Sequence, residues 1–74
     1  DMQKVLFEQT TKAGTGKFQI RERDTRGMRG VQDKFAMYVL EPNIEAPHDL
    51  VEYRFGSHPS FEGAKKFARN KGLI

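Results

Sequence analysis

The clearest hydrophobic pattern of the chain lies near its C-terminal end. Four apolar residues recur there at intervals of three and four, namely Phe61, Ala64, Phe67 and Ala68. This spacing places apolar side chains on one face of a helix. Ser60 suits the N-cap of such a helix, and Gly72 suits its left-handed stop. Because a helix of about twelve residues is marginal alone in water, we expect it to pack against another element.

Segments that are rich in β-compatible residues, or that alternate between apolar and polar types, precede this helix. They predict four strands, at residues 5–11, 17–23, 35–40 and 50–55. The third segment is apolar on both faces, which is typical of a central strand. The predicted fold class is α+β, with a small antiparallel sheet of three to four strands in the order ββββα packed against one C-terminal helix.

The alternation also predicts which side chains face the helix. In the fourth strand, the residues directed toward the helix are Val51, Tyr53 and Phe55. In the third strand, the face turned away from the helix consists of Ala36, Tyr38 and Leu40. That second face is either covered by a terminus of the chain or offered to a partner.

The length of 74 residues allows one small domain, residues 1–74, with a thin core. The chain begins with Asp1 rather than Met, so a fragment of a larger protein is an open alternative. There is no cysteine, and no apolar run approaches the roughly 18 residues that a membrane-spanning helix requires. We therefore expect a protein of the cytoplasm, or of the nucleus in a eukaryote, that is neither secreted nor bound to a membrane.

The net charge of +3 is unevenly distributed along the chain. Residues 1–34 carry eight basic and five acidic groups, residues 35–54 carry one and four, and residues 55–74 carry four and one. Two basic ends therefore flank an acidic middle. A polyanionic partner would be met by the ends.

Basic residues concentrate in the second strand and in the loop after it. The loop of residues 24–34 contains Arg26 and Arg29, each followed by a glycine that lets the backbone approach a surface. Guanidinium groups are the preferred ligands of phosphate, and Lys34 and Arg54 would support them. A solvated strand face and a simple connecting loop are the alternatives. Strand alternation places four polar residues in one row, about 6.6 Å apart along the strand, and these are Lys17, Gln19, Arg21 and Arg23.

Motifs for catalysis or metal binding are incomplete in this chain. Residues 14–17 resemble a phosphate loop, but Thr11 and Phe18 stand where that loop requires glycine and serine or threonine. His48 and His58 fall short of the three or four convergent ligands that a metal ion needs. We expect no enzymatic activity, no cofactor, no metal and no small-molecule substrate.

Several short motifs in the second half of the chain suggest a family. They lie at residues 29–31, 34–39, 53–56, 60–64 and 67–68. The segment from about residue 29 to residue 70 resembles the AP2-type DNA-binding domain and the related three-stranded arm-binding domains of tyrosine integrases. That family lays its sheet in the major groove with the helix behind it. The resemblance implies that the following residues lie near nucleic acid: Arg29, Lys34, Phe35, Tyr38 and Arg54.

Two functions are compatible with these observations. The first is a nucleic-acid-binding module for DNA, with RNA as a variant, that contacts phosphates and grooves through a basic sheet face and the Arg-Gly loop. The second is a protein-interaction module, such as a phage or plasmid accessory protein that modulates a host protein. It would use an apolar sheet face or a strand edge, and its partner would be another protein or a second copy of the chain.

Overall fold

The computed structural model describes residues 4–30 and 32–74. It contains a four-stranded antiparallel sheet in the order β1-β2-β3-β4, followed by one helix. This architecture confirms the predicted α+β class and the order ββββα. The elements are β1 (Lys4–Thr10), β2 (Lys17–Glu22), β3 (Phe35–Pro42), β4 (Leu50–His58) and α1 (Phe61–Asn70).

The helix begins and ends where the sequence places its caps. The Ser60 hydroxyl oxygen accepts a hydrogen bond of 3.1 Å from the backbone N–H of Gly63, which satisfies one of the free donors of the first turn. At the other end Gly72 has a φ of 75°, and the N–H of Leu73 donates to the carbonyl of Ala68 at 2.9 Å. This is the left-handed helix stop that a glycine at this position predicts.

The core lies between α1 and one face of the sheet. Its fully buried centre joins residues of β2, β3 and α1, which are Phe18, Ile20, Met37, Val39, Ala64 and Ala68. The two alanines are small, so the helix approaches the larger side chains of the strands closely. A ring of partly buried apolar residues surrounds this centre, made up of Phe7, Phe35, Phe61, Phe67, Leu73 and Ile74.

Strand β4 extends three residues beyond its predicted end at Phe55, and it contains a β-bulge. Met37 of β3 pairs with Gly56, while Tyr38 pairs with Arg54, so Phe55 is the extra residue of the bulge. Gly56 has a φ of 127°, a conformation that glycine adopts without steric cost. Val51 and Tyr53 lie on the helix side as the alternation predicts, whereas the pairing with β3 skips Phe55 and resumes at Gly56.

The helix covers the middle of the sheet and leaves part of β4 uncovered. Tyr53 lies opposite the buried Val39 and so belongs to the helix side, yet it remains 50% exposed. We call the face turned away from α1 the open face. Tyr38 and Ala36 lie on it and are nevertheless buried. The ten-residue α1 is the only helix in residues 4–30 and 32–74, and it is too short and too polar to cross a membrane.

The core predicts a sharp difference between two isoleucines. Ile20 is fully buried, whereas Ile44 is 97% exposed. We expect Ile20→Val to lower the free energy of unfolding by about 1 kcal/mol, because a buried methylene is lost. The matched control Ile44→Val should change it by less than about 0.5 kcal/mol. Urea denaturation followed by circular dichroism measures both, and equal effects of the two changes would contradict the described core.

Candidate interaction surfaces

The predicted row of polar residues on β2 lies on the open face, where acidic side chains of neighbouring strands meet it. Lys17 lies 3.7 Å from a carboxylate oxygen of Glu8, and the Gln19 amide donates to the same carboxylate at 2.7 Å. Arg21 donates to the Gln19 oxygen at 2.9 Å and to a carboxylate oxygen of Glu52 at 2.6 Å. The row is thus a network of paired charges rather than a strip of free cations.

Arg21 is held most firmly within this network. Its guanidinium lies over the ring of Tyr38, 4.1 Å from the ring centre, and its side chain is only 16% exposed. Stacking on an aromatic ring and pairing with Glu52 both stabilise the guanidinium in place. A phosphate would have to displace Glu52 to bind Arg21, so this residue is a poor phosphate ligand as it stands.

Arg23 has a different environment, because β2 ends one residue before it. Its guanidinium donates to the carbonyl of Asp33 at 2.9 Å and to the hydroxyl of Ser57 at 3.2 Å. Its backbone N–H donates to the carbonyl of Lys34 at 2.7 Å. Arg23 therefore connects the end of β2 with the loop that follows and with the end of β4. Its role is structural.

The β2–β3 loop, residues 23–34, carries the most exposed cations of the predicted set. Arg26 forms a two-pronged pair with the Asp24 carboxylate at 2.9 and 3.0 Å, and its side chain is 89% exposed. Hydrogen bonds from the Arg26 side chain and backbone lower the pKa of Asp24 from 3.8 to about 2. Gly27 and Gly30 have φ values of 80° and 73° and face open space.

Three predicted residues have no acidic partner among residues 4–30 and 32–74, and all three are exposed: Arg29, Lys34 and Arg54. Arg29 and Lys34 belong to the β2–β3 loop, whereas Arg54 lies on the open face opposite Tyr38. The eight predicted residues therefore do not form one surface. Arg23 lies at the start of the β2–β3 loop, three others lie further along that loop, and four lie on the open face, namely Lys17, Gln19, Arg21 and Arg54. Phe35, which the family resemblance places near nucleic acid, packs instead on the helix side, with its ring centre 5.9 Å from that of Phe61.

The outer edge of β4 is a strand edge of the kind that the protein-interaction hypothesis requires, although the sequence does not identify which strand supplies it. Strand β4 pairs with β3 on one side and has no neighbour on the other among the described strands. Its nine residues include no lysine and no proline, which commonly protect sheet edges from pairing, and the bulge at Phe55 restricts the regular edge to residues 50–54. The predicted order of the strands could have identified this edge, because the last strand of an open meander lies at an edge of the sheet.

Apolar side chains accumulate around this edge. The described part of the chain has six large exposed apolar residues, and four of them lie on β4 or in the hairpin loop that leads to it: Ile44, Leu50, Tyr53 and Phe55. A shallow depression beside the strand is lined by Pro42, Ile44, Val51 and Tyr53, among others. The opposite edge strand, β1, contributes one residue to the exposed apolar set, Val5. The two edges of the sheet therefore differ in character.

His58 has a structural environment at the start of the helix. The Nδ1 atom of His58 accepts a hydrogen bond of 3.1 Å from the backbone N–H of Ser60, and its ring fills the space next to Gly63. No group of three or more histidine, aspartate or glutamate residues that could hold a metal ion occurs within residues 4–30 and 32–74. His58 therefore contributes to the entrance of α1.

The pair formed by Asp24 and Arg26 makes a prediction about pH. Arg26→Ala removes the hydrogen bonds that favour the carboxylate, so the pKa of Asp24 should rise from about 2 toward 3.8. Because the folded-state pKa is lowered, the pair stabilises the fold above the ordinary pKa of 3.8, and this contribution is lost as the pH falls through about 2. Carboxyl NMR titration measures the shift. Arg29→Ala is the control and should leave the Asp24 titration unchanged.

Comparison with known proteins adds no relative to this description. The chain matches no protein-family model, no curated protein and no solved structure. The resemblance to AP2-type domains therefore stays a prediction, and one of the residues that carry it, Val31, lies outside the described residues.

Proposed function

We propose that the protein is a protein-binding module that uses the outer edge of β4 and the exposed apolar residues of that strand, which we call the apolar strip: Leu50, Tyr53 and Phe55. The observation that carries this proposal is the concentration of exposed Leu50, Tyr53 and Phe55 on an edge strand that has no neighbour on its outer side among the described strands. An edge strand presents unpaired backbone N–H and C=O groups, and a partner strand can bind them as an added strand of the sheet.

The alternation of β4 defines the chemistry of a fitting partner. Val51 and Tyr53 lie on the helix side of the strand, whereas Glu52 and Arg54 lie on the open face. A bound strand would place apolar side chains beside the first pair and charged side chains beside the second. Backbone hydrogen bonds would supply affinity, and these four positions would supply specificity.

The charge arrangement of the open face supports the same proposal. Two of its cations, Lys17 and Arg21, are engaged with Glu8 and Glu52 at 3.7 and 2.6 Å, so the predicted basic row offers little free positive charge to a polyanion. The apolar residues Leu50, Tyr53 and Phe55 of β4, in contrast, are 60%, 50% and 46% exposed. Water leaves apolar surface at a gain of roughly 25 cal/mol per Å² when a partner covers it.

Selection of extended peptides from a random library tests the proposal. We expect selected peptides to bind, and NMR chemical-shift changes to concentrate on residues 50–55. Tyr53→Asp should weaken binding at least tenfold, because it places a charge in the apolar strip. Met28→Asp is the matched control, since Met28 and Tyr53 are both 50% exposed and Met28 lies in the β2–β3 loop. Shift changes confined to the open face or to the loop would refute the role of β4.

Nucleic-acid binding by the β2–β3 loop is the second candidate function. The observation in its favour is a loop with exposed Arg26, Arg29 and Lys34, in which Gly27 and Gly30 let the backbone approach a ligand. The pair between Asp24 and Arg26 is exposed, and exposed pairs contribute little to stability because solvent screens them. Arg26 could therefore exchange its carboxylate partner for a phosphate at small cost.

A salt titration of binding to duplex DNA and to RNA tests this second candidate. Three phosphate contacts give a slope of about −3 in a plot of log affinity against log salt for duplex DNA. Arg26→Gln and Arg29→Gln should each reduce the slope by about one unit. Lys66→Gln on the exposed side of α1 is the control. Fluorescence anisotropy measures the affinities, and a slope near zero would exclude this function.

A further inference from the structure

We propose that the strand which binds the β4 edge is β4 of a second copy of this chain. The inference rests on the proposed function of the edge and names its partner. In the assembly the two β4 strands run antiparallel about a two-fold axis at Tyr53, which joins two four-stranded sheets into one of eight strands. An axis perpendicular to the sheet leaves both helices on the same side.

The charges of β4 are self-complementary in this register. With the axis at Tyr53, Glu52 of each copy lies directly opposite Arg54 of the other copy. Both residues lie on the open face, so their side chains meet on the same side of the joined sheet. Opposite charges on directly facing residues stabilise strand pairs, and like charges destabilise them.

Neighbouring registers lack this complementarity. An axis moved by one residue to Glu52 places two carboxylates opposite each other, and an axis at Arg54 places two guanidinium groups opposite each other. Both arrangements put like charges at the centre of the pairing. The sequence of β4 thus favours one register over its two neighbours, as a specific interface requires.

The surroundings of Arg54 within one copy support the same assembly. Arg54 is exposed and has no carboxylate within ion-pair distance among residues 4–30 and 32–74, although it lies on a face where Lys17 and Arg21 are both paired. Glu52 already binds Arg21 at 2.6 Å, and its side chain is about half exposed. A second copy would add Arg54 to this carboxylate and extend the network of the open face across the interface.

The helix side of the interface fits as well. In the same register Tyr53 faces Tyr53 of the second copy, and Val51 faces Phe55. Tyr53 and Phe55 are 50% and 46% exposed in one copy, so each copy brings the apolar surface that the other needs. Two tyrosine rings at a directly opposed position form a favourable cross-strand pair. The bulge at Phe55 and the hairpin loop before Leu50 limit the ladder to about five residues.

The short ladder also sets the expected strength of the dimer. Five residues span only about 17 Å of strand, so the contact is smaller than the roughly 800 Å² per partner of a standard stable complex. We therefore expect a dimer that dissociates on dilution, with a dissociation constant in the micromolar range.

Sedimentation velocity across a range of concentrations tests the dimer, with charge-reversed variants to test the register. The unmodified chain should shift from monomer to dimer as its concentration rises. Arg54→Glu should weaken the dimer at least tenfold, because Glu52 would then face a second carboxylate. Glu52→Arg should do the same by facing Arg54. Circular dichroism checks that both variants fold.

Two combinations decide whether the charges act across the interface. A mixture of the Arg54→Glu chain with the Glu52→Arg chain should form a heterodimer, because each facing pair again has opposite charges. The double variant E52R/R54E should recover the homodimer. Lys66→Glu, a charge reversal on the exposed side of α1, is the control and should leave dimerisation unchanged.

The outcomes separate this inference from the proposed function. A chain that stays monomeric at every concentration, while selected peptides still bind residues 50–55, overturns the second copy as partner and keeps the protein-binding edge. A monomer that binds no peptide there overturns both. A dimer that is insensitive to both charge reversals places the interface elsewhere and overturns the proposed register.

Discussion

The rest of the structure depends on the packing of one short helix against one face of a four-stranded sheet. Ala64 and Ala68 bring α1 close to Phe18 and Ile20, and this contact supplies the fully buried centre of the core. Four strands about 4.8 Å apart form a sheet wider than one helix, whose diameter is about 10 Å. One helix therefore cannot cover the whole face. The part left uncovered includes Tyr53 on the edge strand.

The two faces of the sheet are consequently stabilised by different physics. The helix side buries apolar area, whereas the open face ties its strands together through charged and polar pairs. Arg21 shows the contrast clearly, because it stacks on Tyr38 of β3 and pairs with Glu52 of β4. Partly buried pairs of this kind fix side-chain geometry, and they also neutralise the positive charge that a polyanion would otherwise contact.

This division underlies the proposed binding surface. The described cations that are without carboxylate partners lie mainly in loops and on the helix, while the exposed apolar residues collect around β4. The proposed partner is a protein strand, because its hydrogen-bonding groups and apolar side chains would match that edge. The β2–β3 loop, with Arg26 and Arg29, is a separate surface at one end of the sheet and would act independently of the edge.

The sequence by itself determined the elements of the fold, because local patterns carry that information. The spacing from Phe61 to Ala68 specified the helix, Ser60 and Gly72 specified its ends, and alternation specified the strands. Only the tertiary structure decided which charges stay free. Lys17 and Arg21 lie in one row as the alternation predicts, but Glu8 and Glu52, which neutralise them, come from other strands. Such pairing depends on strand register across the sheet, as does the bulge at Phe55, and no local pattern encodes either.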